Sequence, residues 1–253
     1  MAFEIEVLYS PAEFRALAQR DLSTTTCVVF DVLRATSTIV TALAAGASGV
    51  LPVGEIHEAV ALHKTRPDIL LAGEREGLRI SANLTGGVEF DLGNSPREFT
   101  AERVAGKLVV MTTTNGTRAL QACAGAAEVV VGSFLNLTKT AHYLTATARQ
   151  NICLICAGTG EQAALEDTMA AGAMCEELQL IQASAKLQDS ALIAHQAFLQ
   201  VRNDLADAIS KARNARRLLG ESKLRDDVEF CLRRNRFDIV GRADSDKVLR
   251  GAR

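Results

Sequence analysis

Two segments of the chain share one pattern, and this repeat constrains the fold more than any other feature of the sequence. Segment 28–54 reads VVFDVLRATSTIVTALAAGASGVLPVG, and segment 109–133 reads VVMTTTNGTRALQACAGAAEVVVGS. Each has an apolar strand, a threonine-rich polar corner, a helix of small residues, a Gly-Ala exit and a second apolar strand. A third, looser copy of the strand, corner and helix occupies 152–178. Strand, helix and strand at this spacing indicate βαβ units, which build parallel sheets covered by helices.

The repeat therefore predicts an α/β fold with a mainly parallel sheet. We expect one structural unit over residues 1–253, with duplicated βαβ halves at about 25–105 and 106–180 and a helical C-terminal region at about 181–253. Within that last region, apolar residues at spacings of three and four indicate helix, LRDDVEFCLRRN indicates one more short helix, and FDIVG a closing strand. The right-handed crossover rule places all the polar corners at one edge of the sheet, beyond the carboxyl ends of the strands.

Composition excludes several classes of protein. The net charge is −2, there is no tryptophan and aromatic content is 4%, so neither nucleic acid nor an anionic membrane is an expected partner. No apolar run is long enough to span a membrane, and the first residues lack the pattern of a signal peptide. The six cysteines are scattered, which favours a reducing cytoplasm. Cys153 and Cys156 form a C-x-x-C, but on a buried strand they point to opposite faces and cannot share a metal.

The corners predict an anion site. The first turn of a helix presents unpaired backbone N–H groups and the positive end of the helix dipole, a setting that suits phosphate. Hydroxyl side chains occupy the cap positions, and two of the corners also carry an arginine, Arg34 and Arg118. The candidate caps are Thr36, Ser37, Thr114, Thr117 and Thr159. Helix capping alone is the alternative explanation for these hydroxyls, but three similar corners favour a function.

Four carboxylates are expected near the same edge of the sheet. Asp31 ends a strand, Glu74 follows the strand DILLAG, and Glu166 and Asp167 begin the third helix. Oxygen ligands suit Mg²⁺, which also bridges to phosphate. For Glu166 and Asp167 the alternative is that acids near a helix N-terminus stabilise the helix dipole without any metal. The residues from 73 to 100 break the periodicity and predict an ordered active-site loop.

Asp31 at a strand end also suggests phosphatases with an aspartyl nucleophile, whose motif is D-x-D-x-T. In this chain the second acid of that motif is replaced by Leu33, and the threonine is displaced to Thr36. Leucine can neither protonate a leaving group nor hold a metal. The sequence therefore matches that family poorly.

Five motifs together resemble the ComB family, the magnesium-dependent 2-phosphosulfolactate phosphatases. They are DVLRATSTIVTAL, GERE, FDLGNSP, TTTNGTRAL and AGTGEQAALEDTMAAG, spread from about residue 25 to about 180, with a weaker similarity at DDVEFCL. The resemblance implies a three-layer α/β/α fold with internal duplication. It also implies hydrolysis of (R)-2-phospho-3-sulfolactate to sulfolactate and phosphate, a step towards coenzyme M. One departure is Glu76, where the family often has the first glycine of GERGG.

The leading hypothesis is a metal-assisted phosphomonoesterase. Asp31, Glu74, Glu166 and Asp167 would hold Mg²⁺, directly or through water. Phosphoryl oxygens would be bound by Arg34, Arg118 and the corners that contain Thr36, Thr114, Asn115, Gly116, Thr117 and Thr159. Asn94 and Ser95 would bind the carboxylate or sulfonate. Direct attack by water and a phosphoenzyme at Asp31 both remain open.

A non-catalytic sensor of a small phosphorylated or sulfonated metabolite is the alternative function. The clustered acids favour the enzyme, because a pure anion sensor has no use for four carboxylates beside its ligand. We expect a homodimer.

Overall fold

The computed structural model describes residues 3–147 and 150–252, which form one sheet with helices on both faces. Within these described residues, eleven strands lie in the order β5-β4-β6-β3-β11-β10-β7-β2-β8-β1-β9. The strands are β1 Glu4–Leu8, β2 Thr25–Phe30, β3 Gly49–Pro52, β4 Leu70–Arg75, β5 Leu78–Arg79, β6 Leu108–Thr112, β7 Glu128–Gly132, β8 Asn151–Cys156, β9 Lys186–Leu187, β10 Val240–Ala243 and β11 Leu249–Ala252.

In the part of the chain that the structure describes, twelve α-helices and three short 3₁₀ helices connect these strands. The α-helices are α1 Pro11–Arg15, α2 Ala35–Ala44, α3 Ile56–Thr65, α4 Ala82–Thr85, α5 Ala101–Val104, α6 Gly116–Ala122, α7 Leu137–Thr147, α8 Leu165–Ile181, α9 Asp189–Val201, α10 Leu205–Ser210, α11 Arg213–Gly220 and α12 Arg225–Leu232. The 3₁₀ helices are Ala16–Gln19, Pro96–Glu98 and Phe134–Asn136.

The sheet is mostly parallel, but it consists of two parallel sets that run in opposite directions. One set contains β7, β2, β8, β1 and β9, and the other contains β3, β6 and β4. The hairpin β10–β11 lies between the sets and pairs antiparallel with β7 on one side and with β3 on the other. Each copy of the sequence repeat therefore contributes one strand to each set: β2 and β3 from the first copy, β7 and β6 from the second.

This arrangement differs from the expected route to a shared edge. In a flat sheet, the carboxyl ends of β2 and β6 would lie at opposite edges, because their sets are antiparallel. Neighbouring strands rotate by about 20–25°, so the five steps from β6 to β2 add to roughly 100–125°. The twist brings the two corners together around α2, whose residues from Ala35 to Leu43 are all buried. Small residues in α2 and α6 allow this close approach.

Among the described residues, three apolar cores lie between the helices and the sheet. Helices α7, α8, α9, α11 and α12 pack on one face of the larger set, and α2 and α6 pack on its other face, in a core shared with β3 and β6. A third core lies between α3 and the strands β4 and β6. The predicted three-layer α/β/α architecture with a mainly parallel sheet is thus confirmed.

The C-terminal region is more divided than the sequence pattern indicated. The helical region contains four helices, α9 to α12, and the strand expected at FDIVG begins only at Val240. It is followed by β11. Cys153 and Cys156 belong to cores on opposite faces of β8, as predicted. Within the described residues, no helix is long and apolar enough to cross a membrane.

Candidate active site

A cavity of about 340 Å³ lies where the corners of the two sets meet. Its lining mixes acids, arginines and amides, which is unusual for an apolar ligand site. The lining residues are Asp31, Leu33, Arg34, Glu74, Arg75, Glu76, Gly77, Asn94, Thr114, Asn115, Thr159, Gly160, Asn214 and Arg217.

Asp31 is held at the first corner by the start of α2. Its Oδ1 accepts the backbone N–H of Ala35 at 3.1 Å. Thr36 closes the corner, because its Oγ1 accepts the N–H of Asp31 and donates to the carbonyl of Asp31. Burial raises the pKa of Asp31 to about 7, and the neighbouring acids Glu74 and Glu166 act in the same direction. This carboxyl group is therefore set to gain a proton or a cation near neutral pH.

The second corner repeats the threonine arrangement of the first. Thr117 Oγ1 donates to the carbonyl of Thr113 at 2.9 Å and accepts the N–H of Thr113. Thr36 and Thr117 are both fully buried. Neither side chain lines the cavity, and both close their corners through these hydrogen bonds; their predicted contact with substrate stays a prediction. The resemblance of the two sequence segments corresponds to this shared local geometry.

Gly116 brings the second corner against the first. A β-carbon at position 116 would lie 2.7 Å from Asp31 Oδ2 and 2.6 Å from the β-carbon of Ala35. Only glycine allows such contact without displacement of one helix. The start of α6 thus forms a wall directly beside the Asp31 carboxylate. Gly116 has no side chain with which to bind a ligand.

Glu74 joins the second corner to the turn that follows β4. Its Oε1 accepts both the N–H and the hydroxyl of Thr114, at 2.8 and 2.9 Å. Its Oε2 accepts the N–H of Gly77 at 2.7 Å. The turn between β4 and β5 has positive φ at Glu76 (54°) and at Gly77 (81°), as a two-residue type I′ hairpin requires. Glycine adopts such a φ more readily than glutamate, so Glu76 occupies a backbone conformation that favours glycine.

Arg34 is fixed by a buried ion pair. Its Nη1 donates to Asp227 Oδ2 at 2.6 Å, and its Nη2 donates to the carbonyl of Gly77 at 2.8 Å. The other oxygen of Asp227 accepts Ser95 Oγ at 2.7 Å and Arg97 Nε at 2.8 Å. Asp227 is fully buried, so helix α12 sets the position of Arg34 in the cavity wall. Ser95 lines a neighbouring cavity that shares Arg34 and Asn94 with this one.

The two acids of the third corner have different surroundings. Both oxygens of Asp167 accept backbone amides, those of Val32 at 2.8 Å and Gly158 at 3.1 Å. Glu166 Oε1 accepts Asn214 Nδ2 at 2.6 Å. Burial raises the pKa of both acids. Asp167 therefore joins the first corner to the third, and neither acid lines the cavity.

The remaining predicted residues divide into two groups. Asn94, Asn115, Thr114 and Thr159 line the cavity. The Arg118 side chain does not: it is 45% exposed and lies 3.9 Å from Glu161. The Oδ1 atoms of Asn94 and Asn115 are buried and have no hydrogen-bond partner among the described residues. Two unpaired amide oxygens in a polar cavity are available for a ligand.

Four residues that shape the site are absent from the sequence-based prediction: Arg75, Asn214, Arg217 and Asp227. The available signal was the spacing of three between Asn214 and Arg217, which places both on one face of α11. For Asp227, the signal was an acid among the apolar residues of DDVEFCL.

The oxygen atoms of this cavity suit a magnesium site with few protein ligands better than the predicted cluster of four acids. No group of three or more His, Cys, Asp and Glu side chains suited to a metal ion occurs in residues 3–147 and 150–252. Glu74 and Asp167 already accept hydrogen bonds at both oxygens. However, magnesium is commonly held by one or two carboxylates, waters and substrate phosphate. Asp31 with the free oxygens of Asn94 and Asn115 matches that pattern.

The chain is thus a three-layer α/β/α protein with a polar cleft, lined by acids and arginines, where the corners of its two strand sets meet. The family model for 2-phosphosulpholactate phosphatase matches residues 13–246. The chain therefore belongs to the 2-phosphosulfolactate phosphatase family, and it is an enzyme of the phosphatase class. Catalysis, rather than the alternative of a non-catalytic sensor, follows from this membership.

Curated relatives agree with the family match over most of their length. A probable 2-phosphosulfolactate phosphatase of Thermotoga petrophila is 42% identical over 217 residues, which cover 85% of this chain and 87% of the relative. Probable 2-phosphosulfolactate phosphatases of Caldanaerobacter subterraneus subsp. tengcongensis and Gloeobacter violaceus are 38% and 36% identical. The first alignment covers 90% of this chain and 91% of that relative, and the second covers 88% and 89%.

Proposed function

We propose that this enzyme is a magnesium-dependent phosphomonoesterase that hydrolyses (R)-2-phospho-3-sulfolactate to (R)-3-sulfolactate and phosphate. The observation that carries the proposal is the cavity itself, which is lined by Asp31, by three arginines and by two asparagines whose Oδ1 atoms are unpaired. The substrate is supported by relatives described as probable 2-phosphosulfolactate phosphatases.

The charges of the lining support the need for a cation. The lining has as many acids as arginines. The acids are Asp31, Glu74 and Glu76, and the arginines are Arg34, Arg75 and Arg217. The substrate carries a phosphate, a carboxylate and a sulfonate, so a lining with no surplus of positive charge would bind it weakly. Asp31, with the Oδ1 atoms of Asn94 and Asn115, would hold Mg²⁺. Bound there, Mg²⁺ would neutralise phosphoryl oxygens and lower the pKa of a coordinated water.

The chain's own groups position the phosphate. Arg75 lines the cavity and is oriented by the Glu74 carbonyl at 2.7 Å and the Thr112 hydroxyl at 3.1 Å. Arg34 is oriented by Asp227 and Gly77. Fixed guanidinium groups match the phosphoryl oxygens and stabilise the charge that spreads over them in the transition state.

The overall reaction breaks the bond between phosphorus and the ester oxygen. A water molecule supplies OH to phosphorus, and its proton balances the alkoxide that leaves as the hydroxyl of sulfolactate. Asp31 lines the cavity and burial raises its pKa to about 7, so it suits a role beside the reacting groups. We favour direct attack by water over a phosphoenzyme.

The test is release of phosphate from purified protein that has been treated with EDTA and then dialysed. We expect turnover of (R)-2-phospho-3-sulfolactate with Mg²⁺ and none with EDTA. Asp31→Asn should lower kcat/KM at least about 100-fold, since a charge next to the reacting phosphate is lost, while the exposed control Asp68→Asn stays at the wild-type value. Turnover that continues undiminished in EDTA would refute the magnesium dependence, and an inert wild-type protein would refute the substrate.

A cytoplasmic location, a role towards coenzyme M and a homodimeric state stay predictions. The homodimer can be checked by light scattering of the purified protein.

A further inference from the structure

Arg217 places a guanidinium group at the cavity, although it belongs to helix α11 in the C-terminal region of the chain. It is one of the cavity-lining residues. A β-carbon built on Gly77 would lie 3.4 Å from Arg217 Cζ, so the guanidinium group packs against the turn between β4 and β5. Arg217 thus lines the cavity from a helix that is distant in sequence from the strand corners. It lies beside the turn that also orients Arg34.

Helix α11 is anchored one turn before Arg217. Asn214 Nδ2 donates to Glu166 Oε1 and to Thr159 Oγ1, both at 2.6 Å. Arg213 Nη2 donates to the carbonyl of Thr159 at 3.0 Å. Residues three apart lie on one face of a helix, so the contacts of Asn214 direct Arg217 towards the cavity. A helix anchored in this way presents its arginine at a defined position.

No close carboxylate fixes Arg217 in the described part of the chain, although its charge lowers the pKa of Glu166 against the larger raising effect of burial. Arg34 is paired with Asp227, and Arg118 lies near Glu161. Arg217 has neither an ion pair nor a hydrogen bond within residues 3–147 and 150–252. An unpaired guanidinium group in a polar cavity can form a forked, charge-assisted contact with an oxyanion.

We propose that Arg217 recognises the sulfonate of the substrate and thereby selects sulfonated phosphate esters; this inference rests on the proposed function. The carboxylate is attached to the carbon that carries the phosphate ester, whereas the sulfonate is one carbon further away. Arg217 is an exposed residue at the cavity rim, while Asp31 and Arg34 are buried in the wall. The rim position suits the group that lies farthest from the phosphate.

Three substrates separate the anionic groups. (R)-2-phospho-3-sulfolactate has both, 2-phosphoisethionate keeps the sulfonate without the carboxylate, and 2-phospholactate keeps the carboxylate without the sulfonate. For Arg217→Gln we expect kcat/KM to fall roughly 10–100-fold on the two sulfonated esters, mainly through KM, because a charged forked contact is lost. The decrease on 2-phospholactate should be several-fold smaller. Arg217→Lys should recover part of the loss.

Arg216→Gln is the matched control, since Arg216 lies on the same helix, is exposed and does not line the cavity. It should leave all three substrates at wild-type rates. An equal decrease on all three substrates in Arg217→Gln, or no decrease, would overturn the assignment while leaving the proposed phosphatase function intact.

A binding measurement keeps the two proposals separate. If the wild-type protein hydrolyses none of the three esters, the proposed function fails. The inference about Arg217 is then decided by melting temperature in the presence of 3-sulfolactate or lactate. Stabilisation of the wild type by 3-sulfolactate alone, absent in Arg217→Gln, supports it. An equal effect on both proteins refutes it.

Discussion

Gly116 and Asp31 touch across the two corners: a β-carbon at position 116 would lie 2.7 Å from Asp31 Oδ2. The same β-carbon would lie 2.6 Å from that of Ala35. The contact therefore fixes both the distance between α2 and α6 and the wall beside the Asp31 carboxylate. It links the two copies of the repeat within the site.

Gly116→Ala should separate these corners. We expect a loss of about 1–3 kcal/mol in the free energy of unfolding, because a close-packed contact is overfilled, and a decrease in kcat/KM of at least about 10-fold. Gly125→Ala is the control, since nothing lies within 4 Å of a β-carbon there. Urea unfolding and phosphate release measure the two effects. Wild-type activity in Gly116→Ala would contradict the proposed arrangement of the site.

The buried pair of Arg34 and Asp227 predicts a large difference between two adjacent aspartates. Asp227→Ala leaves Arg34 buried without its carboxylate, which should cost about 3–5 kcal/mol. Asp226→Ala removes only a rim contact with Arg97, from a side chain that is 65% exposed, and should cost less than about 1 kcal/mol. Denaturant melts of both variants provide the measurement. Similar losses in the two variants would show that burial of the pair is not the determining factor.

The pH dependence of stability should reveal the raised pKa of Asp31. Burial raises this pKa to about 7, whereas the unfolded chain has a value of about 3.9. Between these values the folded state binds more protons, so the free energy of unfolding falls as the pH rises from about 4 to about 7. The raised pKa values of Glu166 and Asp167 change the free energy of unfolding in the same direction.

Melting temperatures in EDTA across this pH range test the effect. Asp31→Asn should show a shallower decline than the wild type. Curves with identical slopes for the two proteins would be inconsistent with the burial of an ionisable Asp31.

Glu76 combines an unfavourable backbone geometry with a negative charge at an anion site. Its φ is 54°, a region that glycine adopts more readily than other residues. Glu76→Gly should therefore lower KM for the phosphate ester about two- to tenfold, since a repelling charge is removed, without loss of melting temperature. Glu76→Gln separates charge from backbone, because it removes only the charge. An increase in KM in both variants would instead assign Glu76 a favourable role in binding.

The sequence and the structure predict different effects of a substitution at Arg118. The sequence predicts a catalytic arginine, but the structure directs this side chain to Glu161, outside the cavity. From the structure, Arg118→Gln should change kcat/KM by less than about twofold. Steady-state kinetics on the phosphate ester would decide. A loss of 10-fold or more would restore the sequence-based assignment.

The parts of the site that sequence could predict are those adjacent to regular strands. Asp31, Glu74 and Thr114 lie at or just after the ends of apolar strands, where polar site residues of α/β folds are expected, although here the ends of the two opposed sets meet through the twist of the sheet. The direction of Arg118 was not predictable, because a position in the first turn of a helix does not determine which neighbour the side chain meets.

The contribution of the C-terminal region could not be read from periodicity. Arg217 and Asp227 reach the site through contacts with residues far away in the chain, at Gly77 and Arg34. The opposed directions of the two parallel sets were also hidden. They depend on the hairpin β10–β11, whose second strand carries little apolar patterning.

The position of that hairpin has a consequence for how the chain acquires its shape. Strands β10 and β11 separate the two parallel sets, yet they follow every other strand in the order of synthesis. Leu249 pairs with Val50, near the opposite end of the chain, and such distant pairings slow folding. Either set can form from earlier parts of the chain, but the two are joined into one sheet only when residues 240–252 pair between β7 and β3. The cleft between the sets is therefore completed by strands that come late in the order of synthesis.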